Sequence, residues 1–180
     1  CLKEKKIKRY NLLGHSMGGM IAQEMAKKDG KKISKLICYS TGARGDMPGR
    51  FESIDQSRKS LKKNGLLITA KKIAKTWFVK ETKAKYFDIC IQAGKQTSIK
   101  AADNALIAFK NWNGVDNLKN IKNKTLIIWG DKDRSYNIDQ VKILEKKIKN
   151  SKLIMFKGCA HNIHLEKADQ FNQTLKNFIF

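Results

Sequence analysis

Residues 11–26 read NLLGHSMGGMIAQEMA, and they place one serine between glycines where an apolar run meets an amphipathic stretch. Residues 8–14 (KRYNLLG) have the short apolar character of a buried strand. The apolar side chains of residues 17–28 recur at helical spacing, and Gly30 follows them. The pattern therefore predicts that Ser16 occupies a sharp turn between a strand and a helix.

The sequence G-x-S-x-G at such a turn is typical of a nucleophilic serine. The turn lifts the hydroxyl of Ser16 clear of the sheet, and glycine at positions 14 and 18 is expected to relieve a clash. The first N–H groups of the helix point at charge developing on a carbonyl oxygen, so the Met17 N–H is the expected oxyanion donor. An ordinary helix N-cap is one alternative for Ser16. A phosphate-binding turn is another, but the chain lacks the glycine patterns of such turns.

A nucleophilic serine needs a general base, and the base needs an acid that orients it. The candidate bases are the three histidines. His15 adjoins Ser16, and its side chain is expected to point elsewhere. His161 and His164 follow the strand predicted over residues 152–156 (KLIMF).

Two aspartates follow the strand predicted over residues 124–130 (KTLIIWG), and they are the candidate acids. Because active sites of open parallel sheets form at the carboxyl ends of the strands, Asp131 or Asp133 is expected to lie near the histidines. Each of these side chains has a plainer interpretation, as a turn residue, an N-cap or a polar loop residue. Their order along the chain, Ser then Asp then His, favours the catalytic interpretation.

At these residues the sequence resembles the α/β-hydrolase superfamily, in the stretches NLLGHSMGG, TLIIWGDKDR and GCAHNIHLEKADQFN. The family acid often stands in a W-G-x-x-D pattern, which corresponds here to Asp133. The family histidine is often followed five residues later by glutamate, which corresponds to His161 and Glu166. The resemblance thus favours Asp133 over Asp131 and His161 over His164. Ala168 departs from the family, which often has proline in the last helix.

The predicted fold class is α/β, because four short apolar strands alternate with helices and indicate a parallel sheet covered on both faces. Helical patterns over residues 51–63, 66–78, 82–93 and 98–112, without a convincing strand, interrupt this alternation, and Asn64-Gly65 breaks the first from the second. A closing amphipathic helix is predicted over residues 166–180. We therefore predict core regions at residues 1–42 and 121–180 and a helical lid at residues 43–120. The resemblance implies that the lid covers the nucleophile. Met47 and Phe51 are predicted to line the substrate pocket.

The resemblance also implies strands that this sequence does not contain. In the family the elbow follows the fifth strand, whereas here it begins at residue 14, and the first residue is Cys1. We therefore expect this chain to be the C-terminal part of a longer protein, containing the C-terminal half of the sheet and its lid. Because the second oxyanion donor would lie in the missing part, we expect the chain alone to be weakly active. No signal peptide is visible, which favours a cytoplasmic location, with a leader in the upstream sequence as the alternative.

The composition narrows the possible partners. The formal net charge is +22, and lysine supplies most of the 38 basic residues. Because arginine is the side chain that reads phosphates and bases, and the lysines are dispersed, we expect a solvated surface and no nucleic-acid partner. Polyanion binding is the alternative. No apolar run reaches the roughly 20 residues of a membrane span. The four cysteines form no zinc-binding spacing, so no metal is expected.

The leading functional prediction is a serine hydrolase that cleaves an ester, lactone or thioester of a small apolar substrate without a cofactor. Ser16 attacks the carbonyl, His161 shuttles the proton, and Asp133 orients the imidazole. The resemblance is to capped serine esterases and lactonases. Two alternatives on the same fold are a carbon–carbon-bond hydrolase and a binding protein without catalysis. The oligomeric state is left open.

Overall fold

The computed structural model describes residues 4–180 and contains one sheet of four parallel strands in the order β1-β2-β3-β4. The strands are β1 (Tyr10–His15), β2 (Ile33–Tyr39), β3 (Lys124–Gly130) and β4 (Ser151–Phe156). The helices are α1 (Met17–Asp29), α2 (Ile54–Lys75), α3 (Phe87–Gly94), α4 (Ile99–Asn111), α5 (Ile138–Lys147), α6 (Ile163–Glu166) and α7 (Ala168–Ile179). The predicted α/β class with a parallel sheet is confirmed.

The two central strands, β2 and β3, are apolar on both faces because helices cover both sides of the sheet. Alternate side chains of each strand enter different clusters. The first cluster joins them to α1 and α5, and its members include Ala22, Leu36, Ile127, Val141 and Leu144. The second joins them to α7, and its members include Ile37, Tyr39, Leu126, Ile128 and Phe171. The carboxyl ends of β2 and β3 are therefore rigidly placed.

β1 and β4 form the edges of the sheet within residues 4–180. The residues of β1 alternate between exposed and half-buried up to Gly14, and Leu13 is 41% exposed. The carboxyl end of β1 is nevertheless held by its register with β2, in which Gly14 pairs with Cys38. This pairing sets the position of the turn that follows β1.

α2, α3 and α4 lie between β2 and β3 and are called the helical segment below. Gly65 has φ 77° and ψ 176°, which interrupts α2 where the sequence pattern predicts a break between two helices. The helix expected over residues 82–93 is shorter, because a 3-10 turn at Glu81–Lys83 precedes α3. Across the described residues 4–180, no helix has both the length and the apolarity to cross a membrane.

The closing helix predicted over residues 166–180 corresponds to α7, and the short helix α6 precedes it. Lys167 has φ −139° and ψ 60°, and this non-helical residue separates α6 from α7. The break lets buried Ile163 and Phe171 both pack on the same face of the sheet. α6 thereby stays close to the loop that carries the histidines.

Candidate active site

Ser16 occupies the turn between β1 and α1 with φ 55° and ψ −126°. A positive φ is costly for a residue with a side chain, so the surrounding structure must hold it. The Ser16 N–H donates to the carbonyl of Tyr39 at 3.0 Å. The Ser16 carbonyl accepts from the Gly19 N–H at 2.9 Å and from the Thr41 hydroxyl at 2.7 Å. These three hydrogen bonds maintain the strained turn at the start of α1.

The glycines around Ser16 differ in what they make possible. A Cβ on Gly14 would lie 2.3 Å from the carbonyl oxygen of Gly18, and a Cβ on Gly19 would lie 2.5 Å from the Thr41 side chain. A Cβ on Gly18 would meet nothing within 4 Å. The expectation that both flanking glycines relieve a clash is therefore correct for Gly14 and wrong for Gly18. The second crowded position is Gly19, which the pattern G-x-S-x-G does not include.

Asp133 and His161 form a buried pair, with Asp133 Oδ2 2.9 Å from His161 Nδ1. Their residues are 8% and 2% exposed. The other carboxylate oxygen, Oδ1, accepts the N–H groups of Ser135 at 2.7 Å and Tyr136 at 3.2 Å. Because both oxygens have partners, the carboxylate is held in one orientation and directs Nδ1 of the imidazole toward itself.

Two loops carry these side chains: residues 131–137 after β3, called the acid loop, and residues 157–162 after β4, called the histidine loop. Gly130, at the end of β3, lets the two loops approach each other. A Cβ there would lie 2.4 Å from the carbonyl oxygens of both Cys159 and Ala160. The backbone of Lys132 then donates to the Cys159 carbonyl at 2.9 Å. Asp131 Oδ1 accepts the N–H of Gly158 at 2.6 Å. Asp131 thus contacts the backbone of the histidine loop, whereas Asp133 contacts the imidazole.

The other two histidines lie beside His161, and each contacts a different partner. His15 Nε2 lies 3.2 Å from the His161 carbonyl oxygen, and the Tyr39 hydroxyl donates to the same oxygen at 3.1 Å. The Tyr39 oxygen also lies 2.9 Å from His164 Nδ1. Burial, together with the neighbouring His161, lowers the pKa of His15 to about 3, and burial lowers the pKa of His164. Both rings are therefore neutral at pH 7 and support the loop.

A cavity of about 400 Å³ lies between the Ser16 turn and the helical segment. Ser16, Met17 and Met47 line it. Its apolar wall is supplied mainly by α2 and α4, through Ile54, Leu61, Leu66, Ile73, Ala102, Ala105, Leu106 and Phe109. Phe51 is not among the lining residues; its ring lies 4.2 Å from the Arg50 guanidinium instead. Sequence reasoning missed the α2 and α4 residues because an apolar helix face facing a cavity has the same pattern as one facing a core.

Ser16 and His161 line a second cavity of about 420 Å³, together with Met17 and Trp77. Met17 is the first residue of α1, so its N–H belongs to the turn that lacks a carbonyl partner within the helix. The Ser16 hydroxyl makes no hydrogen bond to the His161 imidazole in this structure. Such contacts commonly tighten only when a substrate is bound.

Within residues 4–180, no group of three or more His, Cys, Asp or Glu side chains is arranged to hold a metal ion.

The comparisons with known proteins identify the fold family. Residues 2–168 match a family described as the alpha/beta hydrolase fold. The AB hydrolase superfamily protein YisY of Bacillus subtilis is 30% identical over 179 residues, covering 93% of this chain and 65% of YisY. A 2-hydroxy-6-oxo-6-phenylhexa-2,4-dienoate hydrolase of Comamonas testosteroni is 24% identical, covering 96% and 63% respectively. The chain thus spans about two thirds of the length of these relatives.

Solved structures share the fold. An enol-lactonase from Burkholderia xenovorans superposes with a TM-score of 0.87 at 22% identity, covering 99% of this chain and 68% of the lactonase. An esterase from Exiguobacterium antarcticum gives a TM-score of 0.89 at 24% identity, with coverage of 99% and 69%. The family model matches most of this chain, and the strained turn at Ser16 is consistent with that match. This chain belongs to the α/β-hydrolase fold family.

Proposed function

We propose that this chain carries the nucleophile, base and acid of a serine hydrolase that cleaves a carboxylic ester, lactone or thioester. The observation that supports this most strongly is the buried hydrogen bond of 2.9 Å between Asp133 and His161. Ser16 shares a cavity with His161, and its strained turn is characteristic of an exposed nucleophile.

In the proposed reaction, Ser16 Oγ attacks the carbonyl carbon while His161 Nε2 takes its proton. Asp133 accepts the Nδ1–H and stabilises the imidazolium that forms. The Met17 N–H donates to the oxygen that gains negative charge. His161 then gives its proton to the departing oxygen or sulfur, and the acyl group stays bonded to Ser16. Water, deprotonated by His161, releases the acid and restores the serine.

The proposed substrate is small and mostly apolar, because the wall of the 400 Å³ cavity is mostly aliphatic and aromatic. We propose that residues 43–120 act as the lid over this cavity. Met47, which lines it, is proposed to contact the substrate. Phe51 has no such support, because its ring packs beside Arg50.

A carbon–carbon-bond hydrolase on the same residues is the second candidate. Relatives named as 2-hydroxy-6-oxo-dienoate hydrolases are 24% and 28% identical to this chain. The 6-oxo group is a ketone, so hydrolysis at that carbonyl breaks a carbon–carbon bond. A panel of simple esters beside such a dienoate distinguishes the two candidates by which substrate has the higher kcat/KM.

A fluorophosphonate probe tests the shared nucleophile, because it labels an activated serine covalently. We expect labelling of the wild-type chain and none of Ser16→Ala, with ester turnover lowered by at least about 10³-fold. Ser34→Ala, at the opposite end of β2 from the site, is the matched control and should label normally. Continued labelling of Ser16→Ala would exclude Ser16 as the nucleophile.

A further inference from the structure

Tyr136 carries a buried hydroxyl that lacks a partner. The residue is 1% exposed, and its hydroxyl forms no hydrogen bond with any other residue in the described range 4–180. Buried polar groups without partners are uncommon and costly in native proteins. An explanation is therefore needed for this hydroxyl in particular.

The position of Tyr136 distinguishes it from the other buried polar atoms without partners. Five such side-chain atoms occur in the described part of the chain, on Gln23, Ser40, Arg44, Tyr136 and Gln140. Tyr136 alone among these residues lines the cavity beside Ser16. Its hydroxyl is thus the one whose partner can arrive with a bound molecule.

The surrounding structure holds the Tyr136 side chain in place. Its N–H donates to Asp133 Oδ1 at 3.2 Å, and its carbonyl accepts from Trp129 Nε1 at 2.8 Å. Its ring stacks on the imidazole of His161, with centroids 5.7 Å apart and planes inclined by 7°. The carboxylate that orients the imidazole therefore also positions the phenol ring.

The hydroxyl remains a hydrogen-bond donor under ordinary conditions. Burial raises the pKa of Tyr136 well above its usual value, while the nearby hydroxyls of Ser16 and Thr41 act in the opposite direction. Neither hydroxyl makes a well-formed hydrogen bond with the phenol. The phenol is accordingly neutral, keeps its proton, and lies close to the proposed nucleophile.

Two other polar side chains of the cavity wall, Arg50 and Thr69, have partners within the chain. Arg50 Nη1 donates to the carbonyl of Glu52 at 2.6 Å, and the Thr69 hydroxyl lies 3.2 Å from that of Ser60. A buried donor without a partner in a mostly apolar pocket discriminates strongly between ligands with and without an acceptor, because the ligand decides whether the donor is satisfied.

We propose that the Tyr136 hydroxyl donates a hydrogen bond to a substrate oxygen close to the carbonyl that Ser16 attacks. The site then prefers esters or lactones bearing an additional alkoxy, hydroxy or keto oxygen over their hydrocarbon analogues. This assignment rests on the proposed function of Ser16 and names the chemistry of its substrate.

The test compares wild type with Tyr136→Phe, which removes the hydroxyl and keeps the ring on His161. Three esters of equal shape serve as substrates: butyl butyrate, butyl methoxyacetate and 2-methoxyethyl butyrate. An ether oxygen replaces one methylene on the acyl side in the second and on the alcohol side in the third. The assay measures kcat/KM from the protons released by hydrolysis. We expect Tyr136→Phe to lower kcat/KM about five- to tenfold for one ether-bearing ester and less than twofold for butyl butyrate.

Each ester's intrinsic reactivity cancels in the ratio of wild type to variant. A purely structural role of Tyr136 would change all three values by the same factor, and that result overturns the proposal. The urea midpoint of Tyr136→Phe should equal or exceed that of wild type, because the variant buries one unpaired polar group fewer.

If the wild type hydrolysed none of the esters faster than Ser16→Ala does, the proposed function would be contradicted. The Tyr136 assignment would then still be tested by binding. Calorimetry then compares Ser16→Ala with the double variant Ser16→Ala/Tyr136→Phe on the same three esters. We expect the dissociation constant of one ether-bearing ester to rise about five- to tenfold in the double variant. Equal dissociation constants, or no saturable binding of any ester, overturn the assignment.

Discussion

The parallel sheet and the helical segment differ in how completely they bury their apolar residues. Leu36 and Ile128, on the central strands, are 0% exposed. In the helical segment, α4 has no buried residue, and Ile68 and Ile89 are 58% and 62% exposed. The apolar faces of α2 and α4 line the cavity. The sheet therefore holds Ser16, Asp133 and His161 in position, whereas the helical segment shapes the cavity beside Ser16.

Hydrogen bonds join the sheet region to the helical segment close to Asp133 and His161. Arg134, in the acid loop, donates to the carbonyls of Lys75 and Phe78 at 2.9 Å each. Glu166 accepts the N–H of Val79 at 2.7 Å and, through its other oxygen, that of Ala160 at 2.7 Å. Both loops therefore hold the turn after α2. Substitutions in the sheet loops should affect chemistry and stability, and those in the cavity wall should affect substrate choice.

The largest difference is expected between the two aspartates of the acid loop. Asp133→Asn removes the charge that stabilises the imidazolium, so kcat/KM should fall about 10³- to 10⁴-fold. Asp131→Asn keeps an oxygen that can accept the Gly158 N–H, so it should lose less than about fivefold. Steady-state kinetics on one ester measures both variants. An equal fall in kcat/KM for the two variants would show that Asp131 and Asp133 do not have different roles.

The second test concerns stability at the Ser16 turn. Gly14→Ala places a Cβ 2.3 Å from a backbone oxygen, and we expect it to reduce the free energy of unfolding by about 3 kcal/mol or more. Gly18→Ala has open space at a helical position, and it should leave stability unchanged or raise it by about 0.5–1 kcal/mol. Urea unfolding of both variants is the measurement. A Gly18→Ala variant as unstable as Gly14→Ala would contradict the crowding described here.

Acid should destabilise the sheet region through His15. Its pKa is about 3 in the folded chain and near 6.5 when unfolded, so between these values the unfolded state binds more protons. Stability contributed by the neutral ring is therefore present above pH 6.5 and decreases as the pH falls. We expect a loss of about 1 kcal/mol per pH unit between pH 6.5 and 5, with His164 adding in the same direction.

Urea unfolding at several pH values measures this slope, and His15→Gln should make it shallower by a similar amount. If the curves of wild type and His15→Gln were parallel from pH 6.5 to 5, His15 would not be the source of the acid sensitivity.

The smallest effect is expected in the cavity wall. Leu106→Ala, in α4, enlarges the cavity and should shift the preferred acyl chain length, with kcat/KM for a longer ester changing about three- to tenfold. Its free energy of unfolding should fall by less than about 1 kcal/mol, because the side chain is only half-buried. Leu126→Ala, at 1% exposure in β3, is the matched control and should lose about 2–5 kcal/mol. An unchanged chain-length profile would contradict the assignment of α4 to the cavity wall.

The strands and the turn around Ser16 could be predicted from sequence because their signals are local. β3 spans Lys124–Gly130 as the apolar run predicts, and the break at Gly65 follows from a glycine that adopts a positive φ. The proximity of the acid and histidine loops followed from the shared edge of parallel strands. The short helix α6 could not be predicted, because its four residues are too few to show a helical period of apolar side chains.

The sequence by itself determined which residue types stand at the ends of the strands, because apolar periodicity and glycine positions act over a few neighbouring residues. Only the tertiary structure decided which apolar faces of α2 and α4 remain uncovered and line the cavity, since that depends on how distant elements pack. It also decided that Phe51 lies beside Arg50 and that the Tyr136 hydroxyl is buried without a partner. A tyrosine three residues after an aspartate carries no pattern of its own, and its surroundings come from distant parts of the chain.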